Sequence, residues 1–372
     1  MSKITFTRLT GIDGAALFIT TVGEAVTAVL QSEMGCGKSS VLKLIAQNHG
    51  DKWRKPGDHF PSDKYCYVYI DCPNVQPGSL ISDIPVHATK QLEEYIKASL
   101  CMSDKRPKVI MWDEYLKMPK ILKPLTTRAI NERTVGDQPL PAGSLMFATS
   151  NNAIDGVMDN LAPHEGNRVT ILQMRKPNVK EWLYWASGNE INPVVCAAVQ
   201  MEPSLLASYA TLSEQELTAN PYIFNPFKPS PTFVSPRSLE RASKILDKRT
   251  IMGDELTWAG VAGTLGEAGA NILKTVAMME KDLIAFDVIV ADPKTAPVPS
   301  SNIVMMITLF RALNQITTQD ELSAFVTYSG RCPSEDIRDV FYLMAYKGKT
   351  AKLARNNQDI NGWFVKNYPL AK

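Results

Sequence analysis

The chain lacks the sequence marks of membrane, secreted and zinc-binding proteins. Its longest apolar runs, such as residues 303–310, are too short to cross a bilayer. Asp13 and Glu24 interrupt the apolar residues near the N-terminus, so we expect no signal peptide. The six cysteines show neither C-x-x-C nor paired zinc spacing, and the four histidines are scattered along the chain. This pattern predicts a reducing, cytoplasmic location and no metal site built from histidine and cysteine.

The chain also lacks an excess of charge of either sign. With 40 Lys and Arg against 38 Asp and Glu, the composition favours neither nucleic acid nor a membrane surface as a partner, although a local basic patch remains compatible with it. Internal repeats and low-complexity tracts are absent. Hydrophobic residues make up 45% and charged residues 21% of the 372 residues, which is typical of a soluble globular protein with roughly two or three domains.

The stretch Ser32-Glu33-Met34-Gly35-Cys36-Gly37-Lys38-Ser39 has the pattern of a phosphate-binding loop. It follows G-x-x-x-x-G-K-[ST], with Ser32 where the first glycine usually stands. Residues 25–30 are apolar and predict a buried strand before the loop, and apolar residues at helical spacing predict a helix after it. The alternative is a glycine-rich turn before an ordinary helix.

The residue types in this loop suit the binding of phosphate. Gly35 and Gly37 allow the backbone to turn its N–H groups towards phosphate oxygens, and the helix that begins near Lys38 adds its positive dipole end. Lys38 would reach the β- and γ-phosphates, and Ser39 would bind Mg²⁺. The predicted nucleotide contacts are Gly35, Cys36, Gly37, Lys38, Ser39 and Ser40.

Two acids end the next predicted strand of this region. Residues 108–112 predict a buried strand, and Asp113 and Glu114 follow it directly. Asp113 can hold Mg²⁺ directly or through water, and Glu114 can orient and polarise an attacking water molecule. The alternative is a strand that ends in a solvated turn, but the position behind a phosphate loop favours the catalytic interpretation.

Asn151 and two arginines are further candidates. Asn151 follows a strand predicted at residues 145–148, where an amide can lie between the acids and a γ-phosphate or merely form a turn with Asn152. Arg168 precedes a predicted strand, a position where arginine is usually solvated or salt-bridged. Arg237 lies in the first turn of a helix that Ser235 should cap, where its charge is mildly unfavourable unless a phosphate is near. The alternative for Arg237 is an ordinary surface arginine.

The order of the predicted elements indicates an α/β region followed by a helical region. Strands and helices alternate up to Pro177, which predicts a parallel sheet with right-handed crossovers. One of these helices is predicted at residues 86–100, and residues 132–144 predict a hairpin or extended loop. The carboxyl ends of the strands would form the active edge of the sheet. Helical patterns dominate from residue 178 onward.

Taken in order, these motifs resemble those of an AAA+ ATPase. The matching stretches are Gly35-Cys36-Gly37-Lys38-Ser39, Trp112-Asp113-Glu114, Ala148-Thr149-Ser150-Asn151, Asn167-Arg168 and Ser235-Pro236-Arg237. The chain is similar to the MoxR group, especially its compact bacterial and phage members, and residues 131–143 look like that group's pre-sensor hairpin. The resemblance implies an α/β P-loop NTPase fold, with a parallel sheet flanked by helices. It places the ATPase core at residues 1–176, an all-α lid at 177–250 and a C-terminal helical region at 251–372.

The resemblance also implies a role for each motif residue. Lys38 would bind phosphate, and Ser39 and Asp113 would hold Mg²⁺ beside the ATP. Glu114 would be the catalytic base, and Asn151 would be the first sensor of the nucleotide.

The two arginines acquire roles from the same resemblance. Arg237 would be the second sensor, in the lid, and Arg168 would be an arginine finger that acts on nucleotide bound by a neighbouring subunit. Such a finger implies a homo-oligomeric ring, usually a hexamer, with ATP at each interface. Members of the group commonly work with a von Willebrand factor A-type partner and remodel proteins or insert metals and cofactors.

Three hypotheses for the function follow. The leading one is Mg²⁺-dependent ATP hydrolysis that remodels a protein partner, as a chaperone does. In the second, the same fold acts on nucleic acid as a helicase loader or DNA-remodelling ATPase, because basic residues cluster at residues 52–55 and 237–249; solvated helix faces are the commoner explanation of such clusters. The third is a scaffold that binds ATP without hydrolysing it.

Overall fold

The computed structural model describes residues 9–51, 63–76, 81–86, 91–96, 102, 104–136, 138–152 and 166–368. The chain divides into two compact units, Met1–Lys176 and Pro177–Lys372. Within the described ranges, no helix combines the length and the apolar character that a membrane span requires.

The first unit alternates short strands with helices. Its helices are α1 (Ile12–Val22), α2 (Ser40–Asn48) and α3 (Lys123–Glu132). Its strands are β1 (Ala28–Ser32), β2 (Cys66–Asp71), β3 (Ile81–Val86), β4 (Gln91–Ile96), β5 (Lys108–Asp113), β6 (Thr134–Val135), β7 (Gln138–Pro139), β8 (Leu145–Asn151) and β9 (Thr170–Gln173). Short 3₁₀ turns lie at Cys72–Asn74, Tyr115–Lys117 and Lys120–Leu122.

Five of these strands form one sheet in the order β2-β5-β8-β1-β9. All four neighbouring pairs are parallel. Because parallel strands run in one direction, their carboxyl ends meet at one edge of the sheet, which we call the carboxyl edge; the opposite one is the amino edge. The phosphate loop follows β1 and therefore lies at the carboxyl edge, as predicted.

The sheet is buried on both faces because alternate residues of each strand point in opposite directions. In β5, Val109 and Met111 pack in the core that contains α1 and α2, whereas Ile110 and Trp112 pack in the core that contains α3. Burial of each such side chain stabilises the fold by about 1.5–3 kcal/mol. The predicted fold class, an α/β P-loop unit with a parallel sheet flanked by helices, is confirmed.

The helix predicted at residues 86–100 is wrong. Strand β4 lies within that range and pairs antiparallel with β3, with Ile84 opposite Glu93. The apolar spacing suits one face of a helix, but backbone pairing with β3, which precedes β4 closely in the sequence, takes precedence over that pattern. Residues 87–90 and 97–100 lie outside the described part of the chain.

The hairpin predicted at residues 132–144 is confirmed. Strands β6 and β7 pair antiparallel there, with Val135 opposite Gln138. Helix α3, which precedes the hairpin, has Pro124 as its second residue, where the missing N–H costs no hydrogen bond. Pro124 therefore fits the first turn of the helix.

The second unit is helical, as predicted. Its helices are α4 (Val179–Ser187), α5 (Pro193–Met201), α6 (Glu214–Ala219), α7 (Pro236–Leu246), α8 (Arg249–Met278), α9 (Phe286–Ala291), α10 (Asn302–Ala312), α11 (Gln319–Ser329), α12 (Glu335–Lys347), α13 (Ala351–Asn356) and α14 (Gln358–Asn367). One hydrophobic cluster runs from Trp182 to Ile360. The division of this unit at residue 250 stays a prediction.

Candidate nucleotide-binding site

The loop between β1 and α2 has backbone angles that explain its glycines. Gly35 has φ of 73° and Gly37 has φ of 95°, both in the left-handed region that side chains with a Cβ rarely enter. Ser39 is the N-cap residue of α2, and Ser40 is the first residue of that helix. The amino end of α2 therefore follows directly on the loop, which is the arrangement that binds phosphate groups.

Lys38 is held over the loop by oxygen atoms of the chain. Its Nζ donates to the carbonyl oxygens of Ser32 and Glu33 and to Ser32 Oγ, each at 3.1 Å. It also donates to Asn151 Oδ1 at 2.9 Å, and the residue is only 8% exposed. The ammonium group thus joins the loop to the tip of β8.

Ser32 has a use for its side chain that glycine would not supply. Its hydroxyl accepts the hydrogen bond from Lys38 and donates to the carbonyl of Glu33 at 3.0 Å. Serine in place of the usual glycine therefore gives Lys38 an additional hydrogen-bond acceptor and does not disrupt the loop.

Asp113 accepts hydrogen bonds from three hydroxyl groups at the carboxyl edge. Ser39 Oγ lies 3.3 and 3.4 Å from its two carboxylate oxygens. Thr149 Oγ1 donates to Oδ1 at 2.5 Å, and the Tyr69 hydroxyl donates to Oδ2 at 2.8 Å. Partial burial and this hydrogen bond to Asp113 raise the pKa of Tyr69.

The donor set around Asp113 fits Mg²⁺. This ion prefers oxygen ligands and usually takes one or two carboxylates together with substrate phosphates and water. Ser39 Oγ and the Asp113 carboxylate already lie within 3.4 Å of each other. Both predicted metal ligands are therefore brought together at the end of the loop.

Glu114 has an unusual backbone conformation. Its φ and ψ are 51° and 43°, in the left-handed region. Its N–H donates to Thr149 Oγ1 at 3.0 Å, and its carboxylate accepts from Lys117 Nζ at 2.5 Å, with both side chains about one-third exposed. The candidate base is thus held at its backbone by β8 and at its carboxylate by the turn that follows it.

A buried ion pair connects the phosphate loop to another segment of the first unit. Lys176 Nζ lies 2.9 Å from Glu33 Oε2, and the two side chains are 2% and 3% exposed. The pair ties the second residue of the loop to the segment that follows β9.

Cys36 is packed inside the loop. Burial, and then the negative charge of Glu33, raises the pKa of its thiol to about 11, so the thiol stays neutral and unreactive at neutral pH. The five cysteines in the described part of the chain, this one included, are free thiols.

The two candidate arginines lie in different units of the chain, and Arg168 is not part of this cluster. Arg168 is exposed in a turn just before β9, at the amino edge of the sheet. At about 3.3 Å per residue, β9 puts at least about 10 Å between Arg168 and the carboxyl edge. Arg237 is exposed in the first turn of α7, in the second unit, and Ser235 caps that helix by accepting from the N–H of Ser238.

The sequence motifs do not predict the contacts of four residues of the site. Thr149 and Tyr69 bind Asp113, and Glu33 and Lys176 form the buried pair. Thr149 was visible as a polar residue at a strand end, but neither the pairing of Glu33 with Lys176 nor that of Tyr69 with Asp113 follows from a motif.

Comparisons with known proteins identify no close relative. The chain matches no protein-family model and no curated protein. It is similar to the solved structure of RuvB from Thermotoga maritima, a Holliday junction branch migration motor, with 15% identity over 75% of this chain and 74% of that one, at a TM-score of 0.35. It is also similar to NtrX from Brucella abortus in complex with ADP, with 12% identity over 98% of this chain and 70% of that one, at a TM-score of 0.37. At such low identities and TM-scores, the function must be argued from the residues of this chain.

Proposed function

We propose that the chain is a Mg²⁺-dependent ATPase of the AAA+ class that works as a ring. The observation that carries this proposal is the convergence of Lys38, Ser39, Asp113 and Asn151, which hydrogen bonds join at the carboxyl edge. Three segments far apart in the sequence supply these groups. A glycine-rich turn before an ordinary helix would give no reason for an ammonium, a hydroxyl, a carboxylate and an amide to meet there.

The loop residues would hold the triphosphate. The backbone from Gly35 to Ser40 and the amino end of α2 would face the phosphates, and Lys38 would exchange some of its protein acceptors for phosphate oxygens. Ser39 and Asp113 would hold Mg²⁺, which when bound supplies positive charge to the β- and γ-phosphates.

Glu114 would orient the attacking water and take its proton on a carboxylate oxygen. In this role Glu114 would exchange its contact with Lys117 for a contact with water. Asn151, now bound to Lys38, would be the amide that senses the γ-phosphate.

Arg168 would complete the site of a neighbouring subunit. Its exposure and its place at the amino edge keep it away from the site of its own chain, which supports a role in trans. Arg237 would contact nucleotide from the second unit. The ring would be a hexamer, as is usual in the class that the chain resembles. We assign to it the remodelling of a protein partner, with a von Willebrand factor A-type protein as the first candidate.

The replacement Glu114→Gln tests the proposal. An amide of the same shape accepts no proton, so phosphate release should fall at least about 100-fold while ATP binding measured by calorimetry stays within about threefold. Glu132→Gln, in an exposed ion pair on α3, is the matched control and should leave both unchanged. Unchanged phosphate release in Glu114→Gln would contradict the role of Glu114. A wild-type protein that binds ATP and releases no phosphate would be a scaffold instead.

One observation favours action on nucleic acid as a second candidate. Arg237, Arg241, Lys244 and Lys248 follow one another at spacings of four, three and four residues along α7 and its end, so they share one exposed face. Lys244 is paired with Glu240 at 2.6 Å, which reduces the positive charge of that face. Salt-dependent DNA binding together with DNA-stimulated phosphate release would favour this candidate over a protein partner. The basic residues at 52–55 lie outside the described ranges.

A further inference from the structure

Thr149 is buried between the two acids of the candidate site. It lies in β8, and the register of β5 with β8 puts Trp112 opposite Ala148, so Thr149 is level with Asp113. Its side chain is fully buried, and its Oγ1 contacts both Asp113 Oδ1, at 2.5 Å, and the N–H of Glu114, at 3.0 Å. We propose that Thr149 is a positioning residue that sets both acids with one hydroxyl group, a role that rests on the proposed ATPase function.

The directions of the two hydrogen bonds follow from the groups involved. The Glu114 N–H can only donate, so Thr149 Oγ1 accepts from it, and the single hydrogen of the hydroxyl then goes to the Asp113 carboxylate. The two bonds form a chain in which each polarises the other. A hydroxyl group is required for this arrangement, because a methyl group in its place offers neither a donor nor an acceptor.

The two acids depend on Thr149 to different degrees. Without the hydroxyl, Asp113 would keep its hydrogen bonds from Ser39 and Tyr69. The amide of Glu114, however, would lose its acceptor. The left-handed backbone conformation of Glu114 persists only when its surroundings fix it, so the loss of this hydrogen bond removes one of the restraints. We therefore expect loss of the hydroxyl to affect the orientation of Glu114 more than the binding of the phosphates.

The replacements Thr149→Val and Thr149→Ser separate the hydroxyl group from the shape of the side chain. In Thr149→Val, kcat for phosphate release should fall at least about 30-fold, because a displaced base loses most of its catalytic effect. The KM for ATP should stay within about threefold, because the loop that binds phosphate is unchanged. Thr149→Ser keeps the hydroxyl group and should restore kcat to within about threefold of the wild type.

Hydrogen exchange supplies a measurement that does not depend on turnover. In the nucleotide-free protein, exchange at the Glu114 amide should be at least about tenfold faster in Thr149→Val than in the wild type and in Thr149→Ser. Ser144→Ala is the matched control, because it removes a buried hydroxyl group that likewise accepts from a backbone N–H but lies at the amino edge; it should alter neither exchange at Glu114 nor kcat. Thermal unfolding of all variants identifies any general loss of stability.

Each outcome decides a specific point. The proposal is overturned if Thr149→Val keeps wild-type kcat and amide protection, or if Thr149→Ser is as impaired as Thr149→Val in both. A wild-type protein without phosphate release would refute the ATPase function and the kinetic role of Thr149. In that case exchange at Glu114 would still show whether the two hydrogen bonds exist.

Discussion

The carboxyl and amino edges of the parallel sheet differ in how their charged side chains are paired. At the carboxyl edge, Lys38 binds Asn151 and loop oxygens, and Glu33 binds Lys176. At the amino edge, Arg168 is exposed and forms no ion pair with any residue that the structure describes. Arg133 follows α3 near the same edge, and its two terminal nitrogens are buried without a hydrogen-bond partner among the described residues.

Among the described residues, the charges of the carboxyl edge are paired more fully than those of the amino edge. Burial lowers the pKa of Arg133, because the charged form loses its hydration, and the negative charge of Glu24 offsets this effect only in part. At the carboxyl edge, the described residues pair with one another, so hydrogen bonds and an ion pair hold their side chains in place without a ligand. At the amino edge, by contrast, the exposed Arg168 is paired with no described residue and is therefore accessible to an anionic group of another molecule, as the proposed ring requires.

The largest effect should come from Arg168, the cation proposed to serve the next subunit. Arg168→Ala should lower phosphate release by about 10³-fold or more, because an arginine finger stabilises the charge of the transition state. Mixing it with Glu114→Gln subunits should restore activity, since some interfaces would then combine an intact Arg168 with an intact Glu114.

Arg168→Lys is the matched variant for that experiment. It keeps the charge but not the planar fork of donors, so it should stay close to Arg168→Ala in turnover. If subunit exchange is demonstrated and the mixed rings still release no phosphate, Arg168 does not act on the site of a neighbouring subunit.

The buried Glu33–Lys176 pair should give the next largest effect, on stability. Glu33→Gln or Lys176→Met removes the buried counterion of the other charge, which should lower the free energy of unfolding by about 3–5 kcal/mol in urea titrations. The double variant should lose less than the sum of the two. Arg128→Ala, which breaks an exposed pair with Glu132, should cost less than about 1 kcal/mol. Equal losses for the buried and exposed pairs would show that burial at the loop is not the cause.

The smallest of the three effects concerns the thiol of Cys36. Its pKa is raised from 9.0 to about 11, so the thiolate fraction near neutral pH is lower by about 100-fold, and alkylation by iodoacetamide should slow accordingly. Because the pKa is raised, the rate should keep rising about tenfold per pH unit from pH 7 to 9 without levelling off. Peptide mass spectrometry follows the reaction, with the less buried Cys332 as an internal reference. A rate at Cys36 that levels off below pH 9 would contradict the packed loop.

The parts of the site that sequence predicted share one property. Lys38 and Ser39 belong to a loop with fixed spacing, and Asp113 and Asn151 end parallel strands, whose carboxyl ends must meet at one edge. Local spacing and strand order were therefore enough to predict the convergence of these four residues. The alternation of strands and helices predicted the parallel sheet, and the helical patterns from residue 178 onward predicted the helical second unit.

The parts that sequence missed depend on pairings over a distance. The contact of Tyr69 with Asp113 requires β2 to lie beside β5, and that of Glu33 with Lys176 requires the end of β9 to reach the loop. Residue type and spacing contain no information about such neighbours. The error at β4 has a different cause, because its partner β3 lies close in the sequence. Its apolar residues match the spacing of a helix, but the pairing with β3 decides its conformation.

Ser32 has a consequence for how related sequences should be recognised. A consensus records which residue is most frequent at a position, whereas Ser32 gives Lys38 an additional acceptor that the consensus glycine lacks. Restoring glycine there would improve the match to the pattern and weaken the hydrogen-bonded loop. A search for proteins of this kind should therefore accept a hydroxyl residue at the first position of the loop.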